Sequence, residues 1–221
     1  MRLRTNANER LSECGKWLIQ TDDDERNVNE VSEEREPLDF GLIFGRKSPV
    51  FLEIGCGQGG FACKSALLNP ENDYLGVERI GNVILSGAER AHKENIGNLR
   101  FLRAKAECLP KYIPPHSVSG IYLNFSTPLP KKGYAKQRLT SPRFIDIYSE
   151  LLIENGFIRQ KTDDRDFFEF SVEQFEACGF QITEKTENLH GNGEVGIVTE
   201  YEKKFISLGK PIYALTAIKK E

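Results

Sequence analysis

The chain has 221 residues, 39% of them hydrophobic and 29% charged, which is enough apolar material for the core of one large domain. A short peptide, a coiled coil and a disordered chain are therefore excluded. The formal net charge of -3 argues against a general nucleic-acid binder, and no apolar run approaches the roughly 18 residues of a membrane span. We expect a soluble, cytoplasmic protein with no membrane partner, as a monomer or a homodimer.

The N-terminal part of the chain is polar and acidic. Residues 22–36 hold eight acids against Arg26 and Arg35, a local charge of -6, so the rest of the chain sums to +3. Such a segment buries little apolar surface and is expected to be a weakly ordered connection. The sequence therefore predicts an acidic extension over 1–36 and a single folded domain over 37–221.

Short apolar runs alternate with segments of helical periodicity from residue 50 onward. The predicted strands are 50–54, 73–77, 99–102, 121–123, 157–161, 180–183 and 212–218. The predicted helices are one that begins near Gly59, 81–94, one from Ser141 that ends at Asn155-Gly156, and 164–177. This order predicts an α/β fold, a Rossmann-like doubly wound sheet of about seven strands, mostly parallel with a C-terminal antiparallel hairpin.

Doubly wound sheets bind their ligands at the carboxyl ends of the strands. In this sequence the glycine-rich and polar segments follow predicted strands. They are 55–60, Glu78, 105–107, 124–132 and 162–163. The functional residues are therefore expected along one edge of the sheet.

The first predicted strand ends in Glu53-Ile54-Gly55-Cys56-Gly57-Gln58-Gly59-Gly60, where glycines let the backbone turn tightly and approach a ligand. Gly55 and Gly57 fit the dinucleotide pattern G-x-G-x-x-G with Gly60, and the S-adenosylmethionine pattern G-x-G-x-G with Gly59. A tight turn without a ligand is the third interpretation. Spacing alone does not decide among them.

Two acids bear on this choice. The carboxylate of Glu53 can bind the amino group of a methionine moiety through a charge-assisted hydrogen bond, and a nicotinamide cofactor has no such cation. Glu78 lies 23 positions after Gly55, where an acid can accept both ribose hydroxyls of either cofactor, or can simply be solvated. The sequence favours S-adenosylmethionine.

The five cysteines are too scattered for a zinc ribbon or a redox pair. An odd number of scattered thiols suits a reducing compartment. His92, His116 and His190 show no metal-ligand spacing either, and are expected to be structural or solvated. No metal site is predicted.

Residues 131–143 carry five positive charges and no acid, a composition suited to contacts with phosphates. A solvated positive face is the alternative. The five residues are Lys131, Lys132, Lys136, Arg138 and Arg143. The last four are the predicted contacts to RNA phosphates.

Six segments occur in one order over roughly residues 45–218, which makes a chance match improbable. They are Glu53-Ile54-Gly55-Cys56-Gly57, Gly76-Val77-Glu78-Arg79, 124–132, 139–144, Lys161-Thr162-Asp163 and 199–205. Together they resemble the bacterial tRNA (guanine-N7-)-methyltransferases, a class I methyltransferase family. The resemblance implies methyl transfer from S-adenosyl-L-methionine to N7 of a guanosine in the variable loop of tRNA.

The resemblance also implies roles for individual residues. Cofactor contacts are implied for Glu53, Gly55, Gly57, Gly59, Glu78, Lys105, Ala106, Glu107 and Asn124. Substrate contacts are implied for Lys131, Asp163, Thr199, Glu200, Tyr201 and Glu202. Structural alternatives remain open: Lys131 as a solvated lysine, Asp163 as a helix N-cap, and Thr199 with Glu202 as a capping box.

This chain departs from the family pattern near the expected site. Thr127 stands where the family has an aspartate, Leu129 where it has a tryptophan, and Lys105 where it has an acid near the adenine. Thr127 is therefore the candidate catalytic position. A catalytically weakened or inactive paralogue that binds tRNA or S-adenosylmethionine is the alternative function, and a nicotinamide dehydrogenase rests only on the glycine spacing.

Overall fold

The computed structural model describes residues 7–21, 36–191, 193 and 196–219. Most of the acidic segment, 22–35, lies outside these residues. The chain divides into two units, 1–114 and 115–221. No helix in the described part of the chain is long and apolar enough to cross a bilayer. The expectation of one domain over 37–221 stays a prediction.

The first unit is built on parallel strands. They are β1 (Leu18–Ile19), β2 (Val50–Ile54), β3 (Asp73–Glu78) and β4 (Leu99–Arg103), in the order β1-β4-β3-β2. The helices are α1 (Ala7–Glu13), α2 (Phe40–Phe44), α3 (Gly60–Leu68), α4 (Gly81–Lys93) and α5 (Leu109–Tyr112), with 3-10 turns at Gly15–Trp17 and Ala106–Cys108. Helices α3 and α4 begin close to where the sequence predicts them.

The ring of Phe101 in β4 lies at the centre of this unit's core and is fully buried. Three glycines approach it so closely that no side chain fits between them and the ring. A Cβ atom would lie 2.5 Å from the ring at Gly59, and 2.8 Å from it at Gly76 and at Gly87. The ring therefore packs directly against the backbone at the N-cap of α3, within β3 and within α4.

Residues 7–21 also belong to the first unit, ahead of the predicted start of the folded domain at 37. Leu18 of β1 pairs with Phe101, and the indole Nε1 of Trp17 donates a 2.9 Å hydrogen bond to the carbonyl oxygen of Ile96. The Trp17 ring also stacks on His92 at 4.7 Å. With β1 the described part of the chain has eight strands, where the sequence predicts about seven, because a two-residue strand is too short to show periodicity.

The second unit combines parallel and antiparallel pairing. Its strands are β5 (Val118–Asn124), β6 (Leu152–Thr162), β7 (Phe180–Thr186) and β8 (Tyr213–Lys219), in the order β5-β6-β8-β7. Its helices are α6 (Pro142–Leu151), α7 (Arg165–Ala177) and α8 (Glu200–Ser207), with a 3-10 helix at Lys132–Gln137. Strand β8 pairs antiparallel with β6 and β7, which confirms the predicted hairpin.

Helix α6 ends earlier than predicted. Leu152 already belongs to β6, so Asn155-Gly156 lies within that strand and does not end the helix. Asn155 has a φ of +59°, next to a shift in the register between β5 and β6. Left-handed asparagine occurs both at helix ends and at strand irregularities, so the sequence signal does not distinguish the two.

Replacing Trp17 tests whether the N-terminal segment is docked in solution. Trp17→Phe should lower the free energy of unfolding by about 1–3 kcal/mol, because the carbonyl of Ile96 loses its buried donor. Urea unfolding followed by circular dichroism measures this, since Trp17 is the only tryptophan of the chain. Leu42→Ala, at a side chain that is 83% exposed, is the control and should change stability by less than about 0.5 kcal/mol. Equal stability of Trp17→Phe and the unmodified protein would contradict the docking.

Candidate functional site

The carboxyl ends of β2, β3 and β4 lie side by side in the first unit. Ile54 pairs with Val77, and Glu78 pairs with Arg103. The glycine loop 55–59 follows β2, Glu78 is the last residue of β3, and residues 105–107 come shortly after β4. The parallel register thus brings the predicted cofactor residues of this unit to one edge, as their positions after strands predict.

The glycines of the loop serve different purposes. Gly55, Gly57 and Gly59 have φ values of +74°, +58° and +71°, which side chains rarely adopt. A Cβ at Gly59 would collide with Phe101, whereas a Cβ at Gly57 would meet nothing within 4 Å. Gly59 is thus required for packing inside the protein. Gly57 leaves the outer face of the loop open to a ligand.

Two carboxylates hold this loop and the helix that follows it. Glu53 is 6% exposed, and its Oε2 accepts a 3.1 Å hydrogen bond from the backbone N–H of Ala62 in the first turn of α3. It does the work of an N-cap side chain, which Gly59 at the cap position lacks. Glu78 accepts from the backbone N–H groups of Gly57 at 3.3 Å and Ile80 at 3.0 Å.

The remaining residues at this edge follow β4. Lys105 is half-buried, Ala106 is buried and Glu107 is exposed, at the start of the 3-10 turn Ala106–Cys108. In the glycine loop itself, burial and then the charges of Glu53 and Glu78 raise the pKa of the Cys56 thiol well above its usual value. This thiol is therefore protonated at neutral pH and is no nucleophile.

A second set of predicted residues lies at the carboxyl ends of β5 and β6 in the second unit. Asn124 pairs with Lys161, and the N–H of Phe125 donates to the carbonyl oxygen of Lys161 at 2.8 Å. Asp163 follows β6 and is half-buried. The N-cap of α7 is Asp164, whose Oδ1 accepts from the N–H of Phe167 at 2.7 Å, so the alternative that made Asp163 the cap is wrong.

A buried cluster of charged and polar groups joins β6 to the start of α8. The Nζ of Lys161 donates to Oε1 of Glu202 at 2.8 Å and to the carbonyl oxygen of Ile197 at 3.2 Å. The ring Nε2 of His190 lies 3.1 Å from the same carboxylate oxygen. Oε2 of Glu202 accepts from the N–H of Thr199 at 2.7 Å, and Thr199 Oγ1 accepts from the N–H of Glu202 at 3.1 Å.

This arrangement confirms the capping box of Thr199 and Glu202. Burial raises the pKa of Glu202, but the hydrogen bond and charge of Lys161, with the contacts from Thr199 and His190, outweigh it and keep the pKa below 4.5. Glu202 is 0% exposed, and its carboxylate accepts a hydrogen bond from the N–H of Thr199. This buried contact positions the first turn of α8. The backbone of Glu200 and the exposed side chain of Tyr201 lie in that turn.

The loop that carries Thr127 is strained at both ends. Phe125 has a φ of +53° and Leu129 a φ of +48°, values that cost about 1–3 kcal/mol each for residues other than glycine. The carbonyl oxygen of Leu129 accepts a 3.2 Å hydrogen bond from Nη2 of Arg138. Thr127, between the two strained residues, is exposed.

Arg138 is buried, so the structure gives no support to its predicted phosphate contact, which stays a prediction. Its side chain is 9% exposed, and its guanidinium lies 4.4 Å from the ring centroid of Phe170. Guanidinium groups stack favourably on aromatic faces, which stabilises this inward position. The other basic residues of the segment are exposed. They are Lys131, Lys132, Lys136 and Arg143.

No group of three metal-binding side chains is arranged around a metal-sized site among the described residues. The three histidines make structural contacts, as expected. His92 stacks on Trp17, His116 lies 3.2 Å from the carbonyl of Leu152, and His190 contacts Glu202.

Comparison with known proteins identifies the family. Residues 47–215 match the model of a family described as "Putative methyltransferase". A tRNA (guanine-N(7)-)-methyltransferase of Lachnoclostridium phytofermentans is 40% identical over 181 residues, which are 81% of this chain and 85% of the relative. One of Listeria monocytogenes serotype 4b is 42% identical over 176 residues, 79% of this chain and 82% of the relative. The chain belongs to the tRNA (guanine-N(7)-)-methyltransferase family.

Solved structures of methyltransferases share the fold of this family member. The 16S rRNA methyltransferase KamB aligns with a TM-score of 0.62 and 17% identity, over 85% of this chain and 96% of that one. A SAM dependent methyltransferase from Aquifex aeolicus aligns with a TM-score of 0.57 and 12% identity, over 80% and 86%. These likenesses confirm the predicted Rossmann-like α/β class.

The sequence alone does not predict that Lys161 and His190 support the first turn of α8 through Glu202. Lys161 lies in a segment that resembles the family, but nothing in the sequence indicates that its side chain reaches Glu202, 41 residues away. His190 lies in no motif. Lysine is almost never buried unpaired, but β6 also holds Glu154, Arg159 and Gln160, so the sequence does not single out Lys161 as a buried residue.

Two glycine variants separate packing from ligand binding in the loop. Gly59→Ala should lower the free energy of unfolding by about 2–4 kcal/mol, through the clash with Phe101 and the left-handed backbone. Gly57→Ala should cost about 1–2 kcal/mol, from the backbone alone. Gly57→Ala should nevertheless weaken S-adenosylmethionine binding about 5- to 150-fold, because the new methyl group occupies the open face.

Urea unfolding and calorimetric titration of S-adenosylmethionine provide the two measurements. Each variant serves as the control for the other. Unchanged cofactor affinity in Gly57→Ala would show that the loop does not face the ligand.

Glu202→Gln tests the buried cluster. The variant should lose about 3–5 kcal/mol of stability at pH 7, because Lys161 stays buried without its counter-charge. The folded pKa of Glu202 lies below its ordinary value of 4.5, so its charge stabilises the fold above that pH and stops doing so as the pH falls through the folded pKa. The stability difference between the two proteins should therefore narrow below pH 4.5.

The control is Glu169→Gln, which removes an ion pair with Arg165 that is more than half exposed. It should cost less than about 1 kcal/mol. If the difference in the free energy of unfolding between Glu202→Gln and the unmodified protein grew as the pH fell below 4.5, the stabilising role assigned to the charge of Glu202 would be contradicted.

Proposed function

We propose that this family member is a cytoplasmic enzyme that transfers a methyl group from S-adenosyl-L-methionine to N7 of a guanosine in the variable loop of tRNA. The observation that carries the proposal is the edge of the first unit. There Gly57 leaves the loop face open, and the carboxylates of Glu53 and Glu78 flank it. The relatives named for this activity match about four-fifths of the chain.

The residues at this edge fit the cofactor. S-adenosylmethionine, when bound, supplies an electrophilic methyl group on a positively charged sulfur. The buried carboxylate of Glu53 suits the cationic amino group of its methionine part, and the half-buried carboxylate of Glu78 suits its ribose hydroxyls. Lys105, Ala106, Glu107 and Asn124 are proposed as further contacts. Their support is the family resemblance, together with their places after β4 and at the end of β5.

The chemistry asks for alignment more than for acid or base catalysis. N7 of guanine carries an in-plane lone pair and no proton, so nothing must be abstracted before it attacks the methyl carbon. The protein must hold the base edge-on to the methyl group. We assign this task to the second unit, through Lys131, Asp163 and the first turn of α8, while Lys132, Lys136 and Arg143 contact phosphates.

The direct test supplies purified protein with S-adenosylmethionine and tRNA that lacks the modification. Nucleoside mass spectrometry should then detect one N7-methylguanosine per molecule of accepted tRNA. A tRNA with adenosine at the target position is the control. Absence of methyl transfer, under conditions where the Lachnoclostridium phytofermentans relative is active, would refute the proposal.

Thr127→Asp tests whether the departure from the family pattern weakens the enzyme. An aspartate here can accept hydrogen bonds from guanine and favour the cationic product, so the rate should rise about 10- to 100-fold. Thr127→Asn, which accepts a hydrogen bond without charge, is the control and should gain much less. If the unmodified protein is inactive and Thr127→Asp stays inactive, while both bind tRNA, the non-catalytic paralogue is the better interpretation.

A further inference from the structure

Three aromatic rings form a continuous stack at the carboxyl end of β5. The ring of Phe125 lies in the middle, with centroid distances of 5.8 Å to Tyr201 and 5.8 Å to Phe205. The interplanar angles of 19° and 21° place the rings of Tyr201 and Phe205 each nearly parallel to that of Phe125. The Nζ of Lys210 lies 5.6 Å from the centroid of Phe205. Of the three aromatic side chains, that of Tyr201 is exposed and the other two are half-buried.

The middle ring is held in place by its backbone. Phe125 has a φ of +53°, a conformation that a bulky residue adopts only where its surroundings enforce it. Its N–H donates to the carbonyl oxygen of Lys161 at 2.8 Å, beside Asn124 and two residues before Thr127. The strained backbone thus holds the ring of Phe125 next to Thr127, the candidate catalytic position.

The outer ring is both rigidly supported and open. Tyr201 lies in the first turn of α8, which the capping box and the buried Glu202 hold fixed. Phe125 stacks against the Tyr201 ring, yet the side chain is 62% exposed. Proteins stack nucleic-acid bases on aromatic rings that are exposed to solvent and held by a rigid element.

The charges around this ring favour a polyanion. Lys203, Lys204 and Lys210 are exposed on α8 and just after it. Glu202, the acid of this turn whose side chain the structure describes, is fully buried and paired with Lys161. A nucleic acid would therefore find an exposed ring among exposed lysines.

We propose that the open face of Tyr201 is a stacking platform for a base of the tRNA substrate. The inference rests on the proposed function and adds to it how the base is held. Stacking on a ring that is itself held nearly parallel to Phe125 fixes the plane of the base. A fixed plane is what in-line attack by an in-plane lone pair requires.

Substitutions that keep or remove the ring test the platform. Tyr201→Ala should lower kcat/KM for methyl transfer and the affinity for tRNA about 5- to 150-fold, the range measured for loss of one base–aromatic stack. Tyr201→Phe should stay close to the unmodified protein, since it keeps the ring. Tyr201→Leu, which keeps apolar area but no ring, should resemble Tyr201→Ala.

The matched control is Leu208→Ala, at the C-cap of the same helix, where the side chain is 60% exposed. It should leave both tRNA affinity and methyl transfer unchanged. Thermal unfolding of all variants should agree within a few degrees, because both positions are exposed. A tRNA affinity of Tyr201→Ala equal to that of the unmodified protein would overturn the platform.

Tyr201→Trp reports the stack directly. The only native tryptophan, Trp17, is 9% exposed in the first unit, so the unmodified protein gives the background signal. Addition of tRNA should quench the emission of the new indole in the variant and leave that of Trp17 nearly unchanged. Bound tRNA without quenching would overturn the proposal and would point to another occupant of the ring, such as a protein.

These outcomes are separable from failure of the proposed function. If the unmodified protein transfers no methyl group, the proposed function fails, while tRNA-dependent quenching of Tyr201→Trp still supports the platform. If the unmodified protein methylates tRNA and Tyr201→Leu does so equally well, the platform fails and the proposed function stands.

Discussion

The proposed cofactor side of this protein depends on how one phenylalanine ring fits against the backbone. Phe101 fills the space that side chains would occupy at Gly59, Gly76 and Gly87, so one residue fixes the relative positions of the glycine loop, β3 and α4. Because interiors are close-packed, a methyl group at any of these glycines would displace the loop. The position of the open face at Gly57 is thus set by packing beneath it. The N-terminal strand β1 extends the same constraint, since Leu18 pairs with Phe101.

The proposed substrate side is held by a different kind of interaction. Lys161 contributes twice: its carbonyl oxygen accepts from Phe125, and its Nζ binds Glu202 and the carbonyl of Ile197. A buried ion pair adds little net stability compared with apolar packing, but it is costly to break and strict in geometry. It therefore suits a place where the loop after β5 and the first turn of α8 must keep fixed positions. The apolar core of the first unit and the charged cluster of the second serve the same purpose by different physical means.

Much of this architecture follows from the sequence because it depends on local pattern. An apolar run ended by glycines predicts β2, a second apolar run predicts β3, and the carboxyl-end rule predicts where Glu78 and Asp163 lie. What fails depends on distant contacts. Nothing local indicates that Trp17 packs beside β4, that Arg138 turns inward onto Phe170, or that Glu53 caps α3. Each of these side chains contacts a partner that is distant in the sequence. Its role can therefore be recognised only when the three-dimensional positions of both partners are known.

Two of the three departures from the family pattern, Thr127 and Leu129, lie in the loop after β5, and the third, Lys105, lies after β4. Phe125 and Leu129 have strained left-handed conformations, and the supports that hold them, the carbonyl of Lys161 and the guanidinium of Arg138, are in place. A loop that had lost its function would be expected to relax, because strain of this kind persists only where the surroundings enforce it. Thr127 lies exposed between these two anchored residues. A threonine instead of an acid at position 127 removes a negative charge but leaves the backbone of this loop in place. The intact loop favours a working methyltransferase over a paralogue that merely retains the fold.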